Sequence, residues 1–454
     1  MHIFNVRDFG ATGQKAQDAQ TAIQAAIDAC AAAGGGMVYV PPGAYTTGTL
    51  HLRSHLRLFV EAGATIFSSK NPDAFDKRGL FYGEDVEHLT IEGRGTIHGQ
   101  AEYEWRLSDH DDRYILPNQR RMEALSKPLM RAFPTKNSIG NLVLLLRCTD
   151  VLIQSLSFID SPSWTMHLYG CERLVIDGVY IRTSRKAGVW ADGIDPDGCK
   201  DVRISNCTID TGDDALVFYS ANIYGPALPC ENITVTNCRL SSASSALKFC
   251  DGNMNCIRNV TIDNCVITDS NRGLAFMVFD GGYVSDVVIS NLTIDCIRYD
   301  WFWWGDGDPF HFNVIRRSEI HPEIARPDEP PAGSIRNVLI KNVIARGKGP
   351  SVINGHPQSW LDGVTMEDIT LIVATDLAAP YQKPGHALTV QRAKNFRLDH
   401  VEVIWDEPHA DDWQSALYVE DVQGLELSGF KGRQAPGSAH PAVLFNRVAD
   451  AIIR

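Results

Sequence analysis

The amino-acid sequence predicts an all-β protein, a solenoid of the parallel β-helix type with an N-terminal capping α-helix. The first observation is an internal repeat in which a β-branched or similar apolar residue precedes a turn pair such as Asn-Cys. Copies begin at residues 153, 176, 204, 235, 262, 289, 340, 366, 398 and 427. The second observation is that short apolar strands and Gly, Asn and Asp turns fill the intervals. Irregular periods in the high twenties with several short strands are typical of stacked β-helix coils.

The repeated Asn and Cys residues are expected to form ladders of identical side chains inside the coils. Equivalent strands of successive coils lie about 4.8 Å apart, so equivalent side chains stack. We expect the asparagines of the motif to bridge turn backbone from one coil to the next: Asn206, Asn237, Asn264, Asn291 and Asn342.

The N-terminal segment predicts the cap that a solenoid needs over its open apolar end. An amphipathic pattern runs from Gln20 to Ala33 and stops at three glycines, so a cap helix is predicted within residues 18–34. No linker composition divides the chain, which predicts one domain over residues 1–454. One step of the repeat is nearly double, and an inserted aromatic loop is predicted there, over residues 298–333.

Composition excludes several classes of function. A formal net charge of −13 and a pI near 5.5 argue against a nucleic-acid partner. No apolar run is long enough for a membrane span, and no signal-peptide core is present, so a cytoplasmic protein is expected, or a secreted one if a signal was removed. Eleven cysteines follow the repeat, which favours thiols over disulfides. No Cys/His cluster has metal-binding spacing, so neither a metal nor a cofactor is predicted, and the oligomeric state stays open.

Three acidic residues follow strand-like runs at the same point of two consecutive repeats. Asp192 lies in Trp190-Ala-Asp-Gly-Ile-Asp195, and Asp213 and Asp214 lie in Thr211-Gly-Asp-Asp-Ala-Leu216. Stacked coils would crowd these carboxylates, so that one holds its proton near neutrality while others stay ionised. That arrangement suits acid/base hydrolysis of a glycosidic bond and predicts a sugar-cleaving enzyme. The alternative is that the aspartates only cap turns.

These residues resemble the polygalacturonase family, glycoside hydrolase family 28, over roughly residues 5–440. The resemblance rests on the early Gly-Ala-Thr-Gly, the capping helix, Val40-Pro-Pro-Gly-Ala-Tyr45, Ala191-Asp-Gly-Ile-Asp195 and Gly212-Asp-Asp214. It implies a right-handed parallel β-helix that hydrolyses pectic polysaccharides with inversion. By the same resemblance Asp213 is the general acid, and Asp192 and Asp214 hold and deprotonate the attacking water.

The chain departs from the family where substrate specificity is set. When strands are aligned on Ile194, Leu216, Leu247 and Leu274, the residues two positions earlier are Asp192, Asp214, Ser245 and Arg272. Ser245 stands where the family has histidine, and Ala275 and Met277 stand at the charged positions of its Arg-Ile-Lys motif. In polygalacturonases those charges bind the galacturonate carboxylate. Their loss predicts a rhamnogalacturonase-like or otherwise divergent member acting on a pectin-type oligosaccharide or polysaccharide.

Further side chains are candidates for substrate binding. Aromatic rings pack against the C–H faces of sugars, while charged and polar groups bind hydroxyls and carboxylates. For the aromatic segment, a structural plug is an equal alternative. The candidates are Asp195, Lys248, Arg272, His167, Trp301, Trp303 and Trp304.

Two other functions stay open. One is a β-helix lyase or epimerase in which Asp192, Asp213 and Asp214 bind calcium. The other is a non-catalytic, glycan-binding solenoid.

Overall fold

The computed structural model describes most of the chain. The described residues are 2–103, 105–107, 132–134, 140–185, 188, 190–249, 252–299, 305–320, 322, 325, 327–376, 385–408 and 412–454. The chain divides into two compact units. Unit 1 comprises Met1–Ser108, Arg131–Val217 and Cys230–Cys238, and unit 2 comprises Asp109–Met130, Phe218–Pro229 and Arg239–Arg454.

Unit 1 contains helix α1 (Gln20–Ala32) and short 3-10 turns at Val6–Phe9, Pro72–Ala74 and Ala101–Tyr103. Its strands are β1 (Ile3–Asn5), β2 (Gly36–Val40), β3 (Gly43–Thr47), β4 (Leu50–His51), β5 (Leu56–Val60), β6 (Ala64–Ser68), β7 (Gly79–Glu84), β8 (Glu87–Gly93), β9 (Thr96–His98), β10 (Trp105–Leu107), β11 (Ala132–Pro134), β12 (Asn141–Leu146), β13 (Thr149–Gln154), β14 (Ser157–Ile159), β15 (Met166–Tyr169), β16 (Glu172–Asp177), β17 (Tyr180–Arg182), β18 (Ile194–Asp197), β19 (Lys200–Ser205), β20 (Thr208–Thr211), β21 (Leu216–Phe218, the last residue of which belongs to unit 2) and β22 (Cys230–Thr236).

Unit 2 contains the short helix α2 (Arg317–Ile320). Its strands are β23 (Arg239–Ser242), β24 (Ser245–Phe249), β25 (Cys256–Ser270), β26 (Arg272–Val278), β27 (Tyr283–Cys296), β28 (Asp308–Val314), β29 (Ser334–Gly347), β30 (Ser351–Asn354), β31 (Leu361–Val373), β32 (Leu388–Lys394), β33 (Arg397–Trp405), β34 (Leu417–Gln423), β35 (Glu426–Ser428), β36 (Val443–Ala449) and β37 (Ile452–Ile453).

The predicted right-handed parallel β-helix is confirmed. Within unit 1, successive coils pair strand on strand in parallel, as in β12–β15–β18, β13–β16–β19 and β14–β17–β20. Unit 2 repeats the pattern in β24–β26–β28–β30 and β25–β27–β29–β31. The described strands β10 and β11 pair antiparallel.

The core of each unit consists of apolar columns that run from coil to coil. In unit 2 the rings of Phe218, Phe249, Phe276 and Phe312 follow one another with centroids 5.2, 4.1 and 4.1 Å apart. All four side chains are buried. Because each coil contributes one ring at the same height, the column fixes the register of the strands that carry it.

Helix α1 lies within the predicted span and presents an apolar face to the first coils. Its buried residues are Ile23, Ala26, Ile27 and Cys30, at the three- and four-residue spacing of one helix face. The Asp18 carboxylate accepts a hydrogen bond from Gln20 N at 3.1 Å and thereby satisfies a free amide of the first turn. None of the described helices is long and apolar enough to cross a membrane.

The asparagine ladder differs from the prediction in both position and partner. Asn237 donates to the Asn206 side chain at 2.6 Å, and Asn342 donates to the Asn291 side chain at 2.6 Å. These side chains are exposed, and their residues adopt positive φ between 51 and 58°. Asparagine tolerates that left-handed conformation, so it occupies the outer turn of the coil rather than the interior. The cysteines of the described residues are free, buried thiols, as predicted.

The predicted aromatic loop over residues 298–333 is wrong for part of its length. Ile289 pairs directly with Ile340, so the long repeat step is a single coil with an insertion. Within that coil Asp308–Val314 is the regular strand β28, which pairs with β26 and β30. Sequence inspection missed this strand because Gly and Asp residues precede it and Pro309 lies at its start.

Candidate active site

Asp192 and Asp214 occupy equivalent positions in adjacent coils of unit 1. Ile194 of β18 pairs with Leu216 of β21, and Gly193 N donates to Asp214 O at 2.9 Å. Each aspartate therefore precedes its paired apolar residue by two positions, in the register predicted from the sequence. Since neighbouring strands are about 4.8 Å apart, two carboxyl groups share one face of unit 1.

All three predicted catalytic aspartates are buried. Asp192, Asp213 and Asp214 expose 2, 7 and 2% of their surfaces. A buried carboxylate is costly unless it is hydrogen-bonded. The turns that carry these residues are therefore expected to supply donors.

Backbone amides hold the Asp213 carboxylate on both of its oxygens. Trp190 N donates to Oδ2 at 2.9 Å, and Asp214 N donates to Oδ1 at 3.0 Å. The Thr211 hydroxyl donates to Asp213 O at 2.7 Å, which closes the turn beneath the pair. Because Trp190 precedes Asp192 by two residues, these contacts tie the Asp213 turn to the turn that carries Asp192.

Two glycines are required for this close approach of turns. A Cβ at Gly212 would lie 2.2 Å from Ser184 O and 2.5 Å from Gly188 O, and a Cβ at Gly193 would lie 2.2 Å from Ala215 O. These neighbours are backbone atoms, which cannot rotate away. The glycines of Ala-Asp-Gly and Gly-Asp-Asp thus serve packing of the coils rather than unusual dihedral angles.

Thr183 connects the same two turns through its hydroxyl. It donates to Ala191 O at 3.0 Å and accepts from Gly212 N at 2.9 Å. Thr183 is 4% exposed, so both bonds are made out of contact with bulk water. The residues that flank the three aspartates are thereby joined by side-chain and main-chain hydrogen bonds from two coils.

The predicted binding residues Asp195 and His167 lie side by side in unit 1. His167 pairs with Asp195 in adjacent strands β15 and β18, and both residues are buried. His167 Nε2 lies 3.2 Å from Asp197 Oδ2, and its ring centroid lies 4.5 Å from that of Trp164. The imidazole is thus held by neighbours, and its contact with a substrate stays a prediction.

Unit 2 brings Ser245, Arg272 and Asp308 into one column at the start of three successive strands. Ser245 of β24 pairs with Arg272 of β26, which pairs with Asp308 of β28. The pairing of Leu247 with Leu274 confirms the predicted alignment in this unit.

A second column in unit 2 contains Lys248, Ala275 and His311. Lys248 and Arg272, two predicted substrate-binding residues, therefore belong to neighbouring strands.

Asp308 is the centre of a buried ionic cluster in unit 2. Its Oδ2 lies 2.9 Å from His311 Nδ1 and 3.5 Å from Arg272 Nε. Burial alone would raise the pKa of Asp308, but the His311 hydrogen bond and the Arg272 charge outweigh it and lower the pKa to about 2. Burial, followed by the Arg272 charge, lowers the pKa of His311 despite the opposing carboxylates of Asp308 and Asp306. Asp308 is therefore ionised at neutral pH.

The predicted aromatic contacts Trp301, Trp303 and Trp304 lie outside the described residues.

Sequence reasoning missed Asp197 and Asp308 as partners of candidate site residues. Asp197 could have been found, because it follows Asp195 by two positions and so lies on the same side of β18. Asp308 was hidden because its strand was interpreted as a loop.

A family model matches the part of the chain that contains the three aspartates. The family model of glycosyl hydrolases family 28 matches residues 30–301, more than half of the chain. The chain belongs to glycosyl hydrolases family 28. The match includes Asp192, Asp213 and Asp214.

Individual relatives of this family 28 protein differ in how much of the chain they match. A probable polygalacturonase of Vitis vinifera is 27% identical over 242 residues, 48% of this chain and 44% of the relative. The chain spans about half the length of the polygalacturonases it matches. The exopolygalacturonase of Thermotoga maritima superposes with a TM-score of 0.67 at 23% identity, covering 90% of this chain and 92% of that one. The mannuronan C5-epimerase AlgE6 of Azotobacter vinelandii is 51% identical over 107 residues, only 20% of this chain and 12% of the epimerase.

Proposed function

We propose that this chain is an inverting glycoside hydrolase that cleaves a pectin-type oligosaccharide, derived from rhamnogalacturonan or galacturonan. The observation that carries the proposal is the register of Asp192 with Asp214 on adjacent coils, with Asp213 beside them and all three buried. The polygalacturonase names of several relatives favour a pectic substrate.

The proposed mechanism divides the three carboxyl groups between two tasks. Asp213 protonates the leaving oxygen, while Asp192 and Asp214 orient the attacking water and take its proton. Inversion requires acid and base to flank the bond about 6.5–9.5 Å apart, which leaves room for that water. Carboxyl groups from adjacent coils suit such a separation.

The test is product analysis of wild type and Asp213→Asn on pectic oligosaccharides, rhamnogalacturonan fragments and neutral glycans, with chelator present. We expect saturated products of inverted anomeric configuration from the wild type, and a rate at least about 100-fold lower from the variant, because a positioned acid or base contributes 10²–10⁴-fold. Retained configuration would contradict the mechanism. Equal rates for the two proteins would contradict the role of Asp213.

A second candidate function is that of a uronate lyase or epimerase, favoured by the partial match to AlgE6. In that case calcium bound by the aspartates would acidify the proton beside the uronate carboxylate. Products absorbing in the ultraviolet, a changed ratio of C5 epimers without cleavage, or activity abolished by chelator would each favour it over hydrolysis. Binding of glycans without any turnover would instead indicate a non-catalytic solenoid.

A further inference from the structure

A groove on the surface of unit 2 lies along the end of strand β33. It runs between residues 402–405 of this strand and the segment 431–436, and its volume is about 630 Å³. Pockets of about 300–1,000 Å³ are typical of sites that bind small molecules. The groove shares no residue with the columns of β24, β26 and β28 that contain Ser245 and Arg272. It is therefore a candidate for a separate binding site.

Hydrogen bonds hold both walls of the groove in place. Lys431 continues the coil of β33, because Lys431 N donates to Val401 O at 2.9 Å and Val403 N donates to Lys431 O at 2.8 Å. Further along the segment, Ala435 is buried and its amide donates to Gln414 O at 2.8 Å. The segment is thus anchored at two points, so a ligand would not have to order it on binding.

Trp405 provides the largest apolar side chain of the groove. Its Nε1 donates to Arg433 O on the opposite wall at 2.8 Å, and its ring centroid lies 5.4 Å from that of the buried Trp413. These contacts hold the half-buried indole, so little side-chain freedom is lost when a ligand packs against it. The adjacent Ile404 is 40% exposed and enlarges the apolar surface. A held aromatic ring beside polar side chains suits the C–H face of a sugar.

The groove carries a surplus of positive charge although the chain is acidic. Among the described residues that line it, Lys431 and Arg433 are the cations and Glu402 is the one carboxylate. Both cationic side chains are exposed, and within the described part of the chain neither makes a hydrogen bond or an ion pair. Asp406, directly after β33, is already paired with Arg346. Since the formal net charge of the chain is −13, this groove favours an anionic ligand over a second copy of the chain.

We propose that this groove is a second glycan-binding site, which binds an acidic oligosaccharide. Trp405 packs against the C–H face of a sugar. Lys431 and Arg433 bind carboxylates of the ligand, and Glu402 accepts a hydrogen bond from a hydroxyl. The charge of the groove indicates an acidic ligand, while the held indole and membership of glycosyl hydrolases family 28 favour a glycan over an acidic peptide. The inference goes beyond the proposed function, because it requires none of the three aspartates.

The test is hydrogen exchange of residues 431–436, measured by mass spectrometry on the full chain carrying Asp213→Asn, a substitution chosen to prevent turnover. Decagalacturonate should slow exchange in this segment at the concentrations at which calorimetry reports binding. The readout reports on this segment and not on the turns that carry the aspartates. Fully methyl-esterified decagalacturonate should bind about three- to tenfold more weakly, because it lacks the charges that meet Lys431 and Arg433.

Substitutions on the two walls separate packing from charge. Trp405→Ala should weaken binding of both the acid and the ester to the groove about tenfold or more. Lys431→Gln combined with Arg433→Gln should weaken binding of the acid to the level of the ester and leave the ester unchanged. The matched control combines Lys341→Gln with Lys394→Gln, which removes the same two charges from exposed positions outside the groove and should change neither affinity.

Glu402→Gln tests the sign of the charge argument. Glutamine keeps an acceptor oxygen but removes the one carboxylate that repels the ligand, so the acid should bind about threefold more tightly and the ester as before. If Trp405→Ala fails to fold because it loses the contact with Trp413, the substitutions of Lys431, Arg433 and Glu402 carry the test.

The outcomes are independent of the hydrolysis test. Unchanged exchange of residues 431–436, or an equal loss of affinity in the control pair, would overturn the site. Polyglutamate of the same length that binds as tightly as decagalacturonate would also overturn it and would indicate an acidic protein partner. Hydrolysis by the wild type together with any of these results would leave the proposed function intact. Binding in the groove without hydrolysis would support the second site and reject the hydrolase.

Discussion

Replacing Gly212 by alanine should displace the Asp213 carboxyl group. It should leave the functional groups of the other site residues unchanged. The new Cβ would lie 2.2 Å from Ser184 O, whereas real Cβ atoms essentially never approach a heavy atom within 3.0 Å. The difference requires a relative shift of at least about 0.8 Å between backbone segments, since the carbonyl cannot rotate out of the way. Asp213 follows Gly212 directly, and the segment that must yield leads to Trp190, whose amide bonds Asp213.

The size of that shift sets the expected loss of activity. A displacement of about 1 Å in a catalytic group can cost about 100-fold in rate. We therefore expect kcat/KM of Gly212→Ala to fall about 100-fold, which corresponds to about 2.7 kcal/mol of transition-state stabilisation. Crowding in a packed interior typically costs about 1–3 kcal/mol, so the free energy of unfolding should fall within that range.

The assay is release of reducing ends from the best pectic substrate, with circular dichroism and urea unfolding measured on the same preparation. Gly437→Ala is the matched control: Gly437 has a φ of +78° but nothing within 4 Å of an added Cβ. It should lose about 1 kcal/mol of stability and no activity. A folded Gly212→Ala protein with activity within threefold of wild type would refute the argument that this close packing positions Asp213.

Three further substitutions, one of them with a matched control, test other parts of the structure. Asp308→Asn should lower the free energy of unfolding by about 2 kcal/mol at neutral pH, because the pKa of Asp308 is lowered from 3.8 to about 2. This stability is present above the unfolded pKa and lost as pH falls through about 2, so urea unfolding of variant and wild type should converge in acid. Phe276→Leu removes two ring contacts and should cost about 1–3 kcal/mol by the same assay. Phe445→Leu, at a residue 38% exposed, should cost under about 0.5 kcal/mol. Thr183→Val leaves Gly212 N and Ala191 O without their partner and should cost about 1–3 kcal/mol, with a raised rate of amide exchange at Gly212.

The coil register beside the aspartates was accessible from the sequence because apolar residues mark the phase of those strands. Aligning Ile194 with Leu216 was enough to place Asp192 opposite Asp214, since side chains in a strand alternate with a fixed period. The buried cysteines follow from the same periodicity.

The asparagine ladder and the ionic cluster could not be obtained in this way. The Asn206 side chain lies on the outside of the coil because its backbone has a φ of +58°. The pattern of apolar residues does not predict the backbone angles of a turn. Asp308 and His311 lie on the strand next to that of Arg272 because β28 begins at Asp308 after the insertion in the long coil. The Gly- and Asp-rich sequence before β28 gives no periodic signal from which this start could be predicted. The two amides on Asp213 likewise depend on how closely two turns approach.

In this β-helix, the residues that fix the register of a coil differ from those that we propose as the site. In unit 1, Ile194 and Leu216 fix the strands, and the residues two positions earlier are both aspartate. In unit 2, Leu247 and Leu274 fix the strands in the same way, but the residues two positions earlier are Ser245 and Arg272. Changing such a residue leaves the apolar column intact, so one coil can change the side chain at this position without altering the register of the next coil. Family membership therefore predicts Asp192, Asp213 and Asp214, the aspartates that we propose to be catalytic, more securely than it predicts the sugar.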